Sequence, residues 1–240
     1  MQPKKFKIKS ANIFEYFKKK ALCFFKPNQN ILIIGPPAAG KETQANRIAE
    51  EYCLCHLSTS NILRQEAGSG TETGDKIQKL MDKGEMVSDD VVLPLVKEAM
   101  EAPECSKGII FDGFPRSISQ SIKFDKILEQ SYKKLNKVIY LEANSKILLD
   151  RVKGRLVHPK SGRVYHERLN PPKIPGLDNE TKEKLVQRSD DNPELMKKRL
   201  DLFYKNNTHL LEKYAKKNLF IRIDATRGIE EIWKDIKNIL

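Results

Sequence analysis

Ile31-Leu32-Ile33-Ile34-Gly35-Pro36-Pro37-Ala38-Ala39-Gly40-Lys41-Glu42-Thr43 is the stretch on which the reading of this 240-residue chain turns. Four consecutive apolar residues read as a short buried strand, and the run 44–50 reads as a helix. Gly35 and Gly40 bound the loop between them and can take backbone angles that strain other residues, so the loop can wrap a small anionic object. Its amides and the N-terminus of the following helix would point at that object, and Lys41 would reach the same place. The spacing G-x-x-x-x-G-K is that of a phosphate-cradling loop. Glu42 follows the lysine, and the hydroxyl comes one place later at Thr43. Phosphate binding is the first expectation.

Outward from the loop, five apolar runs (31–34, 53–57, 108–112, 137–141 and 219–223) alternate with helical patterns. That alternation predicts a three-layer α/β fold with a five-stranded parallel sheet. Between the second and third runs lie several short helices where one crossover would serve, so this stretch reads as an extra lobe grafted onto the sheet. Residues 155–187 carry Pro159, Gly162, Pro171, Pro172, Pro175 and Gly176, which predict an inserted segment of hairpins and turns. The expected organisation is an extension at 1–29 and one domain at 30–240. Within that domain the core comprises 30–58, 91–154 and 188–240. Asp190-Asp191-Asn192-Pro193 is expected to cap a long helix reaching about residue 217.

At 39% hydrophobic and 32% charged, the composition is that of a soluble globular protein, and no apolar run approaches the length of a membrane span. The formal charge of +12 suits a nucleic acid, a membrane surface or a site for several phosphates. Up to Lys26 there are eight lysines against one glutamate, interleaved with aromatic and aliphatic residues. Residues 1–26 therefore read as a peripheral membrane contact, a targeting element or a solvated surface extension. Gln2 excludes N-myristoylation, which requires glycine there. Cys23, Cys53, Cys55 and Cys105 lack a paired metal-ligand spacing and are expected as buried thiols of a reducing compartment. His158 and His166 have no cysteine near them, so no zinc is expected in segment 155–187, and both read as hydrogen-bonded core histidines.

Asp112 ends the third apolar run, where parallel sheets bind ligands, and is a candidate to hold water on Mg2+. Arg64, Arg116, Arg151, Arg155, Arg188 and Arg199 fall near strand ends or at the borders of the two inserted pieces. Arginine grips phosphate oxygens in pairs through its planar fork, and six exceed what one triphosphate needs. Two phosphorylated ligands meeting head to head would use them. Two pieces closing over a common floor would exclude water from a transferring phosphoryl group.

Taken together, the segments 35–44, 53–59, 61–64, 112–116, 154–163, 170–173 and 188–192 resemble adenylate kinases of the long-lid form, most nearly the eukaryotic branch with mitochondrial intermembrane members. The run Asp112-Gly113-Phe114-Pro115-Arg116 is highly specific for that family, and the resemblance covers about residues 30–240. It implies reversible transfer from MgATP to AMP giving two ADP, with catalysis by Lys41, Arg116, Arg155, Arg188 and Arg199. It implies ATP contacts from Gly35, Pro36, Pro37, Ala38, Ala39, Gly40, Lys41, Glu42, Thr43, Arg151, Arg155 and Arg227. AMP would be held by Thr59, Arg64, Met86, Val87, Gly113, Arg116, Gln120, Arg188 and Arg199, and Mg2+ through water near Thr43, Asp89 and Asp112. Residues 59–90 would then be the AMP-binding lobe and 155–187 a zinc-free lid tied by a hydrogen-bond network of His158, Ser161 and Asp190.

Two departures from the family loop matter. Ala38 and Glu42 stand where the family usually has glycine. Ala38 would strain the loop if its φ is positive. Glu42 would weaken ATP binding if it faced inward, and is expected to point outward in the first helical turn. The alternatives are a GTP-dependent AMP kinase or another nucleoside monophosphate kinase, and, from a different class, a nucleic-acid-binding P-loop protein. A monomer is expected, with ATP, AMP and ADP as partners and no nucleic acid, in the cytoplasm or alternatively a mitochondrial space.

Overall fold

The structure is a computed structural model and describes residues 23, 25–188 and 191–240. Five strands, β1 (Ile31–Ile34), β2 (Cys55–Ser58), β3 (Ile109–Asp112), β4 (Lys137–Glu142) and β7 (Phe220–Asp224), form one sheet in the order β2-β3-β1-β4-β7. Every neighbouring pair runs parallel. The remaining two, β5 (Arg155–Val157) and β6 (Val164–His166), make an antiparallel hairpin in segment 155–187.

β1 sits in the middle because nothing on it needs water. Ile31 and Ile33 enter one apolar cluster with Ile110, Ile139 and Leu141. Leu32 and Ile34 enter a second with Ile109, Phe111, Val138 and Tyr140. An unbroken apolar run is thus a period-two pattern with both faces covered, as parallel sheets require. The first face is covered by α1 (Lys41–Tyr52), α6 (Ser145–Lys153) and α8 (Ile229–Ile239) through Ala45, Ile48, Leu148, Val152, Ile232 and Ile236. The second is covered by α2 (Thr59–Ala67), α3 (Glu72–Asp82), α4 (Asp89–Met100) and α5 (Ile118–Gln130), with Leu63, Ile77, Val96 and Phe124 inside. α7 (Pro193–Ala215) serves both, giving Met196 and Leu200 to one cluster and Leu210 and Tyr214 to the other. Its first turn is capped by the Asn192 side chain, which accepts from the Leu195 amide, with Pro193 following the cap.

Segment 155–187 is too short and polar to build an apolar core, and a buried carboxylate takes that role. Asp178 is fully enclosed and accepts from Arg163 Nε at 2.8 Å and Nη2 at 2.6 Å, from Tyr165 Oη at 2.9 Å and from the Thr181 amide at 2.8 Å. The Arg163 guanidinium holds its carboxyl well below the usual carboxylate range. His158 bonds Ser161 Oγ through Nδ1 and Glu183 Oε2 through Nε2, both at 2.7 Å. His158 and Ser161 of the expected network therefore meet, whereas Asp190 lies outside the described residues. His166 accepts at Nδ1 from the amides of Arg168 and Leu169, each at 3.1 Å.

The cysteine expectation is overturned. Cys23 is bonded to Cys53 and Cys55 to Cys105, with Cα atoms 5.6 and 4.8 Å apart, within the span a disulfide bridges. Sequence separations of 30 and 50 residues hid this, because linear spacing does not report neighbours in space. Cys53 closes α1 in a left-handed conformation at φ 56, and the chain re-enters the sheet at Cys55, so one turn presents both sulfurs. Lys26 continues the contact, its Nζ 3.5 Å from Glu51 and 5.0 Å from the Tyr52 ring centroid. Of the basic stretch 1–26, residues 1–22 and 24 lie outside the described residues. Among the described residues no helix is long and apolar enough to cross a membrane.

Each disulfide closes a long loop of the unfolded chain, so reduction should cost about 2–4 kcal/mol per bond. Thermal melts with and without reductant read this as a lowered Tm, and a Cys105→Ser variant should show a smaller reductant effect than the parent. Identical melts in both conditions would return the cysteines to free thiols.

Candidate active site

The C-terminal ends of β1, β2 and β3 open into one large cleft, where a doubly covered parallel sheet leaves its crevice. β1 delivers the chain to the glycine-bounded loop at the centre of that edge. Gly35 has no room for a side chain, since a Cβ there would meet the Leu141 carbonyl oxygen at 2.8 Å. Gly40 caps α1 at φ 91, a conformation open to glycine without penalty. Ala38 is also left-handed, at φ 63. The strain expected for a positive φ is therefore present, at a cost of roughly 1–2 kcal/mol.

Lys41 Nζ donates to the carbonyl oxygens of Gly35 and Pro36, both at 2.8 Å, which folds it over the loop. Burial lowers its pKa to about 8; Arg116 and Arg155 push the same way, while Asp112 and Glu42 oppose them. Gly35, Pro37, Ala38, Ala39, Gly40, Lys41, Glu42 and Thr43 all line the cleft. Pro36 contributes its carbonyl to Lys41 and is not part of the wall.

Seven arginines share this wall: Arg64, Arg116, Arg151, Arg155, Arg188, Arg199 and Arg227. Each with a described bond is braced. Arg116 Nε donates to the Gly113 carbonyl oxygen at 2.7 Å and its Nη2 to Ser60 Oγ at 2.9 Å. Desolvation lowers the Arg116 pKa, as does the neighbouring charge of Arg199. Arg155 is gripped at both ends by the Asp191 carboxylate, Nε lying 2.7 Å from Oδ2. Arg151 Nη2 donates to the Arg227 carbonyl oxygen at 3.2 Å, and Arg227 pairs with Asp235.

The cleft continues into a small side chamber lined by Thr59, Leu63, Met86, Val87, Val92 and Phe114, with Gly113, Arg116 and Gln120 at its polar side. Thr59 Oγ1 donates to the Gly113 carbonyl oxygen at 2.8 Å, and Gln120 Oε1 accepts from the Arg116 amide at 2.8 Å. The residues expected to hold one ligand are thus split by the fold. Arg64, Met86, Val87, Gly113, Arg116, Arg188 and Arg199 line the main cleft, whereas Thr59 and Gln120 line only the chamber.

Of the three residues expected near a metal, Thr43 and Asp112 face the cleft. Asp112 is nearly enclosed and lies 3.3 Å from His56 Nε2, with His56 Nδ1 in turn 2.8 Å from Asn46 Oδ1. Asp89 is not brought there. Its carboxylate accepts from Lys123 Nζ at 2.9 Å, a cation on α5 that the sequence pattern did not pair with it. Among the described residues no group of three or more histidines, cysteines or acids could hold a metal alone. An acid and a hydroxyl beside a phosphate loop fit a hard cation that arrives with its own phosphate ligands.

Glu42 also departs from expectation. It points into the cleft, accepting from Arg188 Nη2 at 3.2 Å and from Asn61 Nδ2 at 3.0 Å. An enclosed guanidinium outcompetes water for the carboxylate, a pairing invisible to a sequence separation of 146. Asp191, which the sequence suggested only as part of a helix cap, is the clamp on Arg155. No local spacing could have disclosed it.

A family model described as adenylate kinase matches residues 33–219. Adenylate kinase 4 of Oryza sativa subsp. japonica is 40% identical over 233 residues, 97% of this chain and 96% of that protein. Adenylate kinase 4 of Arabidopsis thaliana is 40% identical over 233 residues, 97% of this chain and 95% of its own length. Adenylate kinase 2 of Schistosoma mansoni is 44% identical over 211 residues, 88% of each chain.

Two outcomes follow from this geometry. Ala38→Gly should raise unfolding stability by about 1 kcal/mol by relieving the left-handed alanine, read in urea melts; a loss of stability would place the strain elsewhere. Phosphate beside Lys41 favours its protonated form, so nucleotide binding should take up a proton and weaken as pH rises through about 8. Calorimetry of ADP binding in buffers of different protonation enthalpy measures the uptake. Lys41→Arg, charged at every such pH, should abolish it, and uptake unchanged in that variant would assign the titration to another group.

Proposed function

This chain belongs to the adenylate kinase family, and from that premise we propose how its own residues divide the work of the cleft. The reaction is the reversible transfer of a phosphoryl group from ATP to AMP, giving two ADP, with Mg2+ accompanying ATP. The observation that carries the assignment is the convergence of Lys41 and seven arginines on one cleft that also opens into a second, apolar chamber. A groove this densely cationic suits two nucleotides meeting through their phosphates.

In this reading the loop from Gly35 to Thr43 and Lys41 hold the donor's phosphates, and Arg151, Arg155 and Arg227 close over the donor from the far side. Thr59, Met86, Val87 and Gln120 receive the base of AMP, and Arg64 and Arg116 its phosphate. Arg188 and Arg199 lie between the two and neutralise the phosphoryl group as it passes. The acceptor is already an anionic phosphate oxygen, so no strong general base is required. Rate then comes from in-line positioning and from charge stabilisation in a site closed to water. Mg2+, when bound with ATP, adds charge neutralisation on the donor phosphates, and Asp112 and Thr43 would hold it through water.

Segment 155–187 serves as the lid over ATP and residues 59–90 as the lobe that closes on AMP. A monomer fits, because one chain supplies the cations of both halves of the cleft. Residues 1–26 would add a peripheral contact with an anionic membrane through their lysines. A cytoplasmic location stands beside a mitochondrial alternative, and the two disulfides favour an oxidising compartment over a reducing cytosol.

Initial rates of ADP formation, crossing ATP or GTP with AMP, test the assignment. ATP with AMP should turn over rapidly, and Lys41→Ala or Arg116→Ala should lower kcat by about 10²–10³ in proteins that still melt cooperatively. Near-parental kcat in both variants would overturn the roles assigned to Lys41 and Arg116.

A further inference from the structure

One carboxylate sits where three parts of the molecule meet, in a cleft wall where cations outnumber acids. Glu42 belongs to the first turn of α1, next to Lys41. Its Oε2 accepts from Arg188 Nη2 at 3.2 Å, at the border of segment 155–187. Its Oε1 accepts from Asn61 Nδ2 at 3.0 Å, on α2 of the helical lobe, and Asn61 Oδ1 in turn lies 3.5 Å from Arg64 Nη1. The turn at Gly162 closes down on this pair, where a Cβ would lie 3.2 Å from Asn61 Nδ2 and 3.7 Å from Glu42 Oε1. The ion pair is well enclosed, with side chains 12% and 18% exposed. Solvent therefore screens it little, and any phosphate entering the cleft meets the same negative charge.

We propose that Glu42 is a positioning residue acting as a resident anion, clasping Arg188 and Asn61 to α1 and competing with nucleotide phosphate for Arg188. This rests on the reading of Arg188 as a phosphate-gripping residue. Phosphate oxygens must displace the carboxylate from the guanidinium, or share it against like-charge repulsion. Either way the enzyme holds its nucleotides more loosely than its arginines alone would dictate and releases product more readily. The clasp gives the helical lobe and the border of segment 155–187 a common seat on α1 that does not depend on a ligand phosphate.

Glu42→Gln separates the charge from the packing, because the amide oxygen still accepts from Asn61. Calorimetric titration with ADP should show about fivefold tighter binding in this variant. The KM for ATP and for AMP should fall, and kcat should fall with them as release slows. In an Arg188→Met background, itself weaker for ADP, competition for the guanidinium is gone and only direct repulsion between Glu42 and phosphate remains. The effect of the glutamine substitution should therefore differ from that in the parent, a non-additivity that a double-mutant cycle in ADP affinity reads. Unchanged or weaker ADP binding by Glu42→Gln, with Arg188→Met still weakening it, would overturn the resident-anion proposal alone. Full ADP affinity in Arg188→Met would instead overturn the phosphate reading of Arg188 on which it rests.

Discussion

The enclosure of β1 is the constraint on which the rest of the structure depends. Its four residues are without exposed surface of any size, and each faces one of two apolar clusters in alternation. That burial fixes the strand's end to within little play, and the loop beyond it inherits the position. Gly35 then passes the Leu141 carbonyl so closely that no side chain would fit, which ties the loop to β4 as well. A phosphate site built from backbone amides works only when the backbone cannot retreat from the charge it is meant to meet. The left-handed Ala38 is held by the same rigidity, since a free loop would relax out of that conformation.

Placing so many cations in one groove creates a second problem, which the acids around it answer. Asp191 grips Arg155, Asp235 holds Arg227, Asp112 lies in the field of Lys41, and Glu42 binds Arg188. Asp191 and Asp235 hold their arginines by direct ion pairs, whereas Asp112 acts on Lys41 through its charge alone. Glu42 and Asp112 both line the cleft itself, and Glu42 pairs directly with one of its arginines. The lowered pKa of Lys41 expresses what remains: burial and neighbouring guanidinium groups disfavour its charge until a polyanion enters. The groove is held short of full charge compensation, which is the condition under which phosphate binds with a net gain.

The sequence disclosed the layers and the phosphate loop because both rest on local patterns. Apolar runs at 31–34, 108–112 and 137–141 needed no partner to be read as strands, and the glycine spacing needed no neighbour either. What it concealed were pairings between distant positions. Cys55 meets Cys105 only because β2 lies against β3. Asp191 meets Arg155 because α7 begins where segment 155–187 ends. Asp89 went to Lys123 on α5, and helix packing alone decided that. Side-chain direction in a first helical turn was equally unreadable for Glu42, since the arginine that draws it inward is 146 residues away.

Segment 155–187 shows what happens when a piece must be ordered yet remain separable from the core. Its hairpin is three residues on each side and its apolar burial is confined to a few residues such as Val157, Tyr165 and Leu185. Asp178 replaces a hydrophobic centre, satisfying a guanidinium, a phenol, a hydroxyl and two amides at once. A network of this kind is rigid inside and offers little apolar surface to glue it to its neighbours. Among the described residues its attachments to the rest of the chain include the Glu167 amide on the Gly154 carbonyl, the Arg155 clamp at one end and the Arg188 pair at the other border, all polar. Polar attachments of that sort can be exchanged for phosphate oxygens without opening an apolar interface to water, so the energetics of closing are set by charge, and the carboxylate of Glu42 stands at the point where that exchange occurs.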